Sequence, residues 1–177
     1  SLTKTGAGTL ILTGANSYGG GTTVEAGTVQ GNTTSLQGAI VNNATVVFDQ
    51  GTSGTYAGVM SGTGALIKTG AGNLTLTAAN SYIGGTTVSG GTLTGNTTSL
   101  QGNITNNATV AFDQATNGTY GGILSGLGAL VKSGTGNLTL TGANSYAGGT
   151  TVNGGTLTGT TSSLQGSILN NATVAFN

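Results

Sequence analysis

Cysteine, proline, tryptophan, histidine and arginine are all missing from this chain. Without cysteine there is no disulfide scaffold and no thiolate metal site, and without histidine the commonest transition-metal ligand is gone as well. Charge is almost absent. Only Lys4, Lys68, Lys132, Glu25, Asp49 and Asp113 carry it, and they cancel to a net charge of zero. No basic surface is therefore expected to hold nucleic acid or anionic lipid. Long apolar runs are lacking too, so no segment approaches the ~20 residues of a membrane-crossing helix.

What fills the chain instead is glycine and threonine, 36 of each among 177 residues. They are arranged in a repeat. Residues 4–67 align with residues 68–131 without a gap at 46 of 64 identical positions, and residues 132–177 match the second copy at 36 of 46. Each copy carries the same landmarks: Tyr18/Tyr82/Tyr146, Leu36/Leu100/Leu164 and Phe48/Phe112/Phe176. Self-similarity at a fixed period marks stacked architectures, in which one unit cannot bury its apolar face alone. Glycine-rich chains of low complexity are often disordered, but those are usually rich in charge and have no apolar alternation.

Alternation is present here. Asn73-Leu74-Thr75-Leu76-Thr77 and Asn137-Leu138-Thr139-Leu140-Thr141 put leucine on one face of a strand and threonine on the other. Ala108, Val110 and Phe112 likewise share a face. No stretch has the i, i+3, i+4 spacing of an amphipathic helix. Gly20-Gly21, Gly84-Gly85 and Gly148-Gly149 each precede a Thr-Thr-Val strand, as corners that need positive φ would. The expectation is an all-β, right-handed parallel β-helix (β-solenoid) with about three laps per 64-residue repeat. Residues 58–83, 84–101 and 102–121 would be the three laps of one copy, giving about eight laps and a rod of roughly 40 Å at the strand spacing. An up-and-down barrel or sandwich is the rival, but neither needs a strict long repeat. Lysine is awkward in this scheme, because Leu66 and Lys68 share strand parity, as do Leu130 and Lys132. A corner that lets each lysine leave the core is expected there.

Residues 132–157, Lys-Ser-Gly-Thr-Gly-Asn-Leu-Thr-Leu-Thr-Gly-Ala-Asn-Ser-Tyr-Ala-Gly-Gly-Thr-Thr-Val-Asn-Gly-Gly-Thr-Leu, closely resemble the passenger-associated transport repeat of bacterial autotransporters. Residues 68–93 and 4–29 repeat the motif with few changes. The resemblance implies a passenger β-helix exported through an outer-membrane β-barrel translocator of the same polypeptide, attached to the outer membrane at the bacterial cell surface or secreted. It implies a stalk that promotes its own secretion and displays other modules. The alternative is an adhesin or self-association module binding host molecules or neighbouring cells. Beginning at Ser1 without a signal peptide and stopping inside a repeat, residues 1–177 are read as a single β-helix fragment of a longer passenger, with repeats 4–67, 68–131 and 132–177 (partial).

Chemistry finds little foothold in the sequence. Solenoid lyases and hydrolases need clustered carboxylates or basic groups. Asp49 and Asp113 are equivalent positions about three laps, or ~14 Å, apart. Ser1-Leu2-Thr3-Lys4 and Lys4-Thr5-Gly6 fit two serine β-lactamase patterns but share one lysine, and no Ser-Asp-Asn accompanies them. Two aspartates cannot supply the recurring Gly-Gly-x-Gly-x-Asp of calcium-binding solenoids. No catalytic, cofactor-binding or metal-binding residue is assigned, no cofactor is expected, and no small-molecule substrate or nucleic acid is expected as a partner. The tyrosines read as core shields rather than a carbohydrate-stacking surface, and Asn16, Asn80 and Asn144 as side chains that fix a long turn. Thr-x-Thr pairs at Thr75/Thr77 and Thr92/Thr94 resemble those of ice-binding solenoids, which need them in consecutive laps of one flat face.

Overall fold

A computed structural model describes all residues 1–177 and contains 22 short strands and no helix, with every strand pairing parallel. That excludes the antiparallel barrel and sandwich. The chain winds as a three-sided β-solenoid of about nine turns, with about 19 residues per turn.

The first side begins with Leu2–Lys4, Thr22–Val24, Ile40–Asn42 and Met60–Ser61, each stacked on the one before. The second side stacks Thr9–Ile11, Thr28–Gly31, Thr45–Asp49, Ala65–Thr69, Thr86–Val88, Ile104–Asn106 and Leu124–Ser125. Gly54–Tyr56, Asn73–Leu76, Thr92–Gly95, Thr109–Asp113, Ala129–Ser133, Thr150–Val152 and Ile168–Asn170 make the third. The first side is then interrupted for two laps and resumes with Gly118–Tyr120, Asn137–Leu140, Thr156–Gly159 and Thr173–Phe176. Hydrogen bonds carry the stack through the interruption. Ser81 N–H donates to Met60 O (2.9 Å) and Asn80 N–H to Thr98 O (3.0 Å). Thr97 N–H then donates to Gln114 Oε1 at 3.0 Å.

The register refines the lap count. Leu66 pairs with Thr86, Thr86 with Ile104 and Ile104 with Leu124, three full laps. The repeat-equivalent of Leu66 is Leu130, which lies six residues beyond Leu124 and on the third side rather than the second. Each repeat therefore climbs three laps and about one third. The expected 26-residue lap, residues 58–83, is one 20-residue lap plus that extra third. Nine laps at ~4.8 Å make a rod of roughly 45 Å. Because each repeat rotates by one side, Phe48, Phe112 and Phe176 lie on the second, third and first sides, and none stacks on another.

One cluster of 27 buried apolar residues fills the axis. Strand parity predicts it well: Leu74 and Leu76 are buried while Thr75 between them faces outward. Inward residues stack in columns. Val29, Val46, Leu66, Thr86, Ile104 and Leu124 form one on the second side, and Leu74, Leu93, Val110, Leu130, Thr150 and Ile168 its counterpart on the third. Phe48 and Phe112 are fully buried, with Tyr56 and Tyr120 tilted against them at centroid separations of 5.0 and 4.9 Å. Such pairs add about 1 kcal/mol beyond area burial.

Glycine is required where laps crowd together. Gly91 has φ of +64°, and a Cβ there would meet Gly70 O at 2.6 Å. Gly121, by contrast, has ordinary φ, and a Cβ would find only Thr141 Oγ1 at 3.6 Å. Gly91→Ala is expected to lower unfolding free energy by more than about 1 kcal/mol. Gly121→Ala should change it by less than about 0.5 kcal/mol. Urea unfolding followed by circular dichroism measures the two, and equal midpoints would refute the crowding argument.

Candidate functional site

The three lysines do not leave the core. Lys68 and Lys132 are fully buried and Lys4 nearly so. In the ladder Lys68 sits between Phe48 and Val88, and Lys132 between Phe112 and Val152, so the aliphatic stem occupies an ordinary core position. The ammonium reaches the corner at the strand's end. Lys68 Nζ donates to Thr69 O (2.6 Å), Gly70 O (2.9 Å) and Gly90 O (3.1 Å). Lys132 Nζ repeats this with Ser133 O, Gly134 O and Gly154 O, and Lys4 Nζ with Thr5 O, Gly6 O and Ala26 O. An ammonium has three donors, and all are used on carbonyls. The corner expected from strand parity exists, but it comes to the lysine. Burial holds Lys68 and Lys132 below the ordinary lysine range, while Asp49 and Asp113 nearby pull the other way more weakly.

Asparagine plays a parallel part where strands lapse. Asn80 Oδ1 accepts from Met60 N–H at 2.8 Å and its Nδ2 donates to Ser99 O at 2.8 Å. Asn144 does the same between Leu124 and Ser163. The side-chain amide thus stands in for a peptide unit and keeps the ladder continuous. Asn42 and Asn106 are also buried and donate to Ala65 O and Ala129 O. No buried side-chain nitrogen or oxygen lacks a partner.

The tyrosines are inside. Tyr82 and Tyr146 share hydrogen bonds with the inward hydroxyls of Thr86 and Thr150 at 2.9 and 2.7 Å. Tyr56 and Tyr120 donate to Gly38 O and Gly102 O. Only Tyr18, on the first laps, is half-exposed, so the tyrosines form no stacking platform toward solvent. Burial raises the phenols of Tyr56, Tyr82 and Tyr120 above their usual 10.0.

Outside, the exposed side-chain charges are Glu25, Asp49 and Asp113. Both aspartates end a strand, but on different sides. Asp49 accepts from Thr69 Oγ1 at 3.0 Å and Asp113 from Ser133 Oγ at 3.2 Å. The threonine pairs do not align: Thr75 pairs with Thr94, and Thr92 with Asn73, so Thr75/Thr77 and Thr92/Thr94 are offset by a pair and form no flat array. Two concavities mark the surface. One, of about 410 Å³, is lined by residues including Thr33, Gln37, Thr55 and Tyr56 and holds no charged group. The other, of about 140 Å³, is a notch formed by Thr75, Leu76, Thr77, Thr94, Gly95, Asn96 and Asp113. Sequence reading assigned no role to this group.

A repetitive parallel solenoid with a hydrogen-bond-saturated interior is the class of protein this is. Residues 2–30, 66–94 and 130–162, just over half of the chain, match the passenger-associated transport repeat, and the chain belongs to that family. It is also 40% identical over 162 residues to the adhesin BmaC autotransporter of Brucella suis biovar 1 (strain 1330). That alignment covers 89% of this chain and 4% of the relative, so the chain spans a small part of the protein it matches. No solved structure matches.

Two outcomes test the polar interior. Asn80→Ala leaves Met60 N–H and Ser99 O unpaired and should cost about 2–4 kcal/mol, read as a shift of the urea midpoint. Alkaline titration tests the buried ionisable groups. Between the lowered native pKa values of Lys68 and Lys132 and 10.5, the unfolded chain binds more protons, so stability rises with pH. Above 10.0 the native state retains phenolic protons that the unfolded chain loses, so stability falls as pH rises further. Tyr56→Phe should flatten that fall, and an unchanged slope would contradict its burial.

Proposed function

We propose that the chain is a non-catalytic part of a longer autotransporter passenger, a stalk that promotes its own secretion and displays other modules at the bacterial surface. Its partner is the outer-membrane β-barrel translocator of the same polypeptide, and its place is outside the cell, secreted or attached to the outer membrane. The observation that carries this reading is lap-by-lap templating. Each lap's backbone donors and acceptors are met by the neighbouring lap, so a chain emerging gradually folds onto what has already emerged. That stepwise gain supplies a directional bias where no nucleotide is hydrolysed. The absence of cysteine and the scarcity of charge suit passage through a narrow pore. Catalysis is not part of this reading, because the lysines and tyrosines are committed to internal hydrogen bonds.

An adhesive role is the second reading, favoured by the likeness to a protein named an adhesin and by outward faces rich in threonine and nearly free of charge. Joining the chain in frame to an outer-membrane barrel in a Gram-negative host tests both. Protease accessibility on intact cells reads export. Cells carrying Gly27→Val, Gly91→Val and Gly155→Val together should expose several-fold less passenger than cells with the native chain. Equal exposure of the two would refute folding-assisted secretion. Attachment or clumping of cells displaying the native chain, absent from cells displaying the barrel alone, would favour adhesion over a passive stalk.

A further inference from the structure

The notch at Asp113 differs among the three repeats, and the difference is informative. In the second repeat Thr94 is an outward residue of its strand and Asp113 ends the strand above it. Position 94 corresponds to Gln30 in the first repeat and Thr158 in the third, and position 113 to Asp49 and Asn177. Gln30 reaches across the gap and its Nε2 donates to Asp49 Oδ2 at 3.4 Å, and no concavity opens there. In the third repeat Thr160 replaces Asn96 and Asn177 replaces the aspartate. Only the second repeat combines a short side chain at 94, an amide at 96 and an acid at 113.

The polar groups of the notch retain free capacity. Asn96 Oδ1 is occupied by Thr98 N–H, Thr98 Oγ1 and Ser99 N–H, which leaves its Nδ2 as a free donor. Asp113 Oδ1 accepts from Ser133, which leaves Oδ2 as a free acceptor. Thr94 Oγ1 donates to Asn73 Oδ1 at 2.9 Å and can still accept. Thr77 is exposed, with its hydroxyl available in either sense. The notch therefore lines one small hollow with both free donors and free acceptors, which suits groups that both give and take hydrogen bonds.

Elimination narrows the ligand. An anion would face Asp113 with no exposed side-chain cation to offset it. A hard cation such as calcium takes six to eight oxygens, and one carboxylate with the asparagine oxygen already engaged falls short. An apolar group would find only Leu76. We propose that the notch formed by Thr77, Thr94, Asn96 and Asp113 binds a neutral, hydroxyl-rich group, the terminal sugar of a glycan. Its volume of about 140 Å³ lies well below the ~300 Å³ lower end of small-molecule clefts, so it takes one sugar ring or an edge of one. With no aromatic platform beside it, a single site binds weakly, and tight attachment requires many copies on one surface. The proposal gives the adhesive reading a ligand class, although the site can be tested without it.

The test is a nuclear magnetic resonance titration of the whole chain with glucose, galactose, mannose and N-acetylglucosamine, with sialic acid as the charged comparison. At least one neutral sugar should shift the amides of residues 94–97 and 113 at millimolar concentration, and sialic acid should not. Thr94→Gln, which copies the first repeat, should abolish the shifts. Asp113→Asn, which copies position 177, should weaken binding about tenfold, as loss of one hydrogen bond to a charged group does. Both substitutions are outward-facing, and unchanged urea midpoints verify their folds. Silent amides with every neutral sugar, or shifts that survive Thr94→Gln, overturn the site. Adhesion is read separately on displaying cells, so a failed site and a failed adhesive role remain distinguishable.

Discussion

Parallel backbone hydrogen bonding between successive laps is the interaction on which the remaining features rest. It sets which residues stack, because Leu66 lies over Val46 and under Thr86 only if every corner between them has the right length. The demand falls on the corners. Gly91 and its counterparts Gly27 and Gly155 hold positive φ where the lap below leaves no room for a Cβ. A parallel ladder also leaves no hairpin to nucleate locally. Order in one lap therefore depends on order in the next, and the fold is built along one axis rather than around one centre.

Polar side chains complete that ladder. Asn80 and Asn144 supply an amide where the strand lapses, and the lysines turn three carbonyls inward at each repeated corner. A buried cation without a carboxylate within ion-pairing distance is unusual, and it is tolerable here because every donor is met. The electrostatic result is asymmetric. The formal net charge is zero, yet the positive side chains are inside and the acidic ones outside, so the exterior is sparsely anionic. Nucleic acid and anionic lipid meet less attraction than composition alone implied.

Much of this was legible in the sequence. Strand parity placed Leu74, Leu76, Val110 and Phe112 inside, the repeated asparagine marked the long turn, and the tyrosines read as shields for the core. The lysines were misplaced because two sound rules collide at Lys68: parity points it inward and charge points it outward. Only the corner carbonyls decide between them, and one of the three, Gly90 O, comes from a residue 22 positions on in the next lap. Lap boundaries were blurred for a different reason. A 64-residue period invites division by three, whereas strand offsets of 20, 18 and 20 leave six residues over. The notch at Asp113 was invisible because it depends on the size of Thr94 against Gln30, one lap below the acid, and a sequence does not display register.

The third of a turn left over in each repeat governs how the rod carries load. Stretches without strands fall at residues 16–18 and 33–36 on the third side, 80–82 and 98–100 on the first, and 144–146 and 162–164 on the second. If the repeat were a whole number of laps, these gaps would line up as a seam along one side, and the rod would bend preferentially across it. Staggered like joints in brickwork, they leave each weak course backed by intact sheet on the two other sides. Bending stiffness is then nearly the same in every direction, so a long column of such units stands straight.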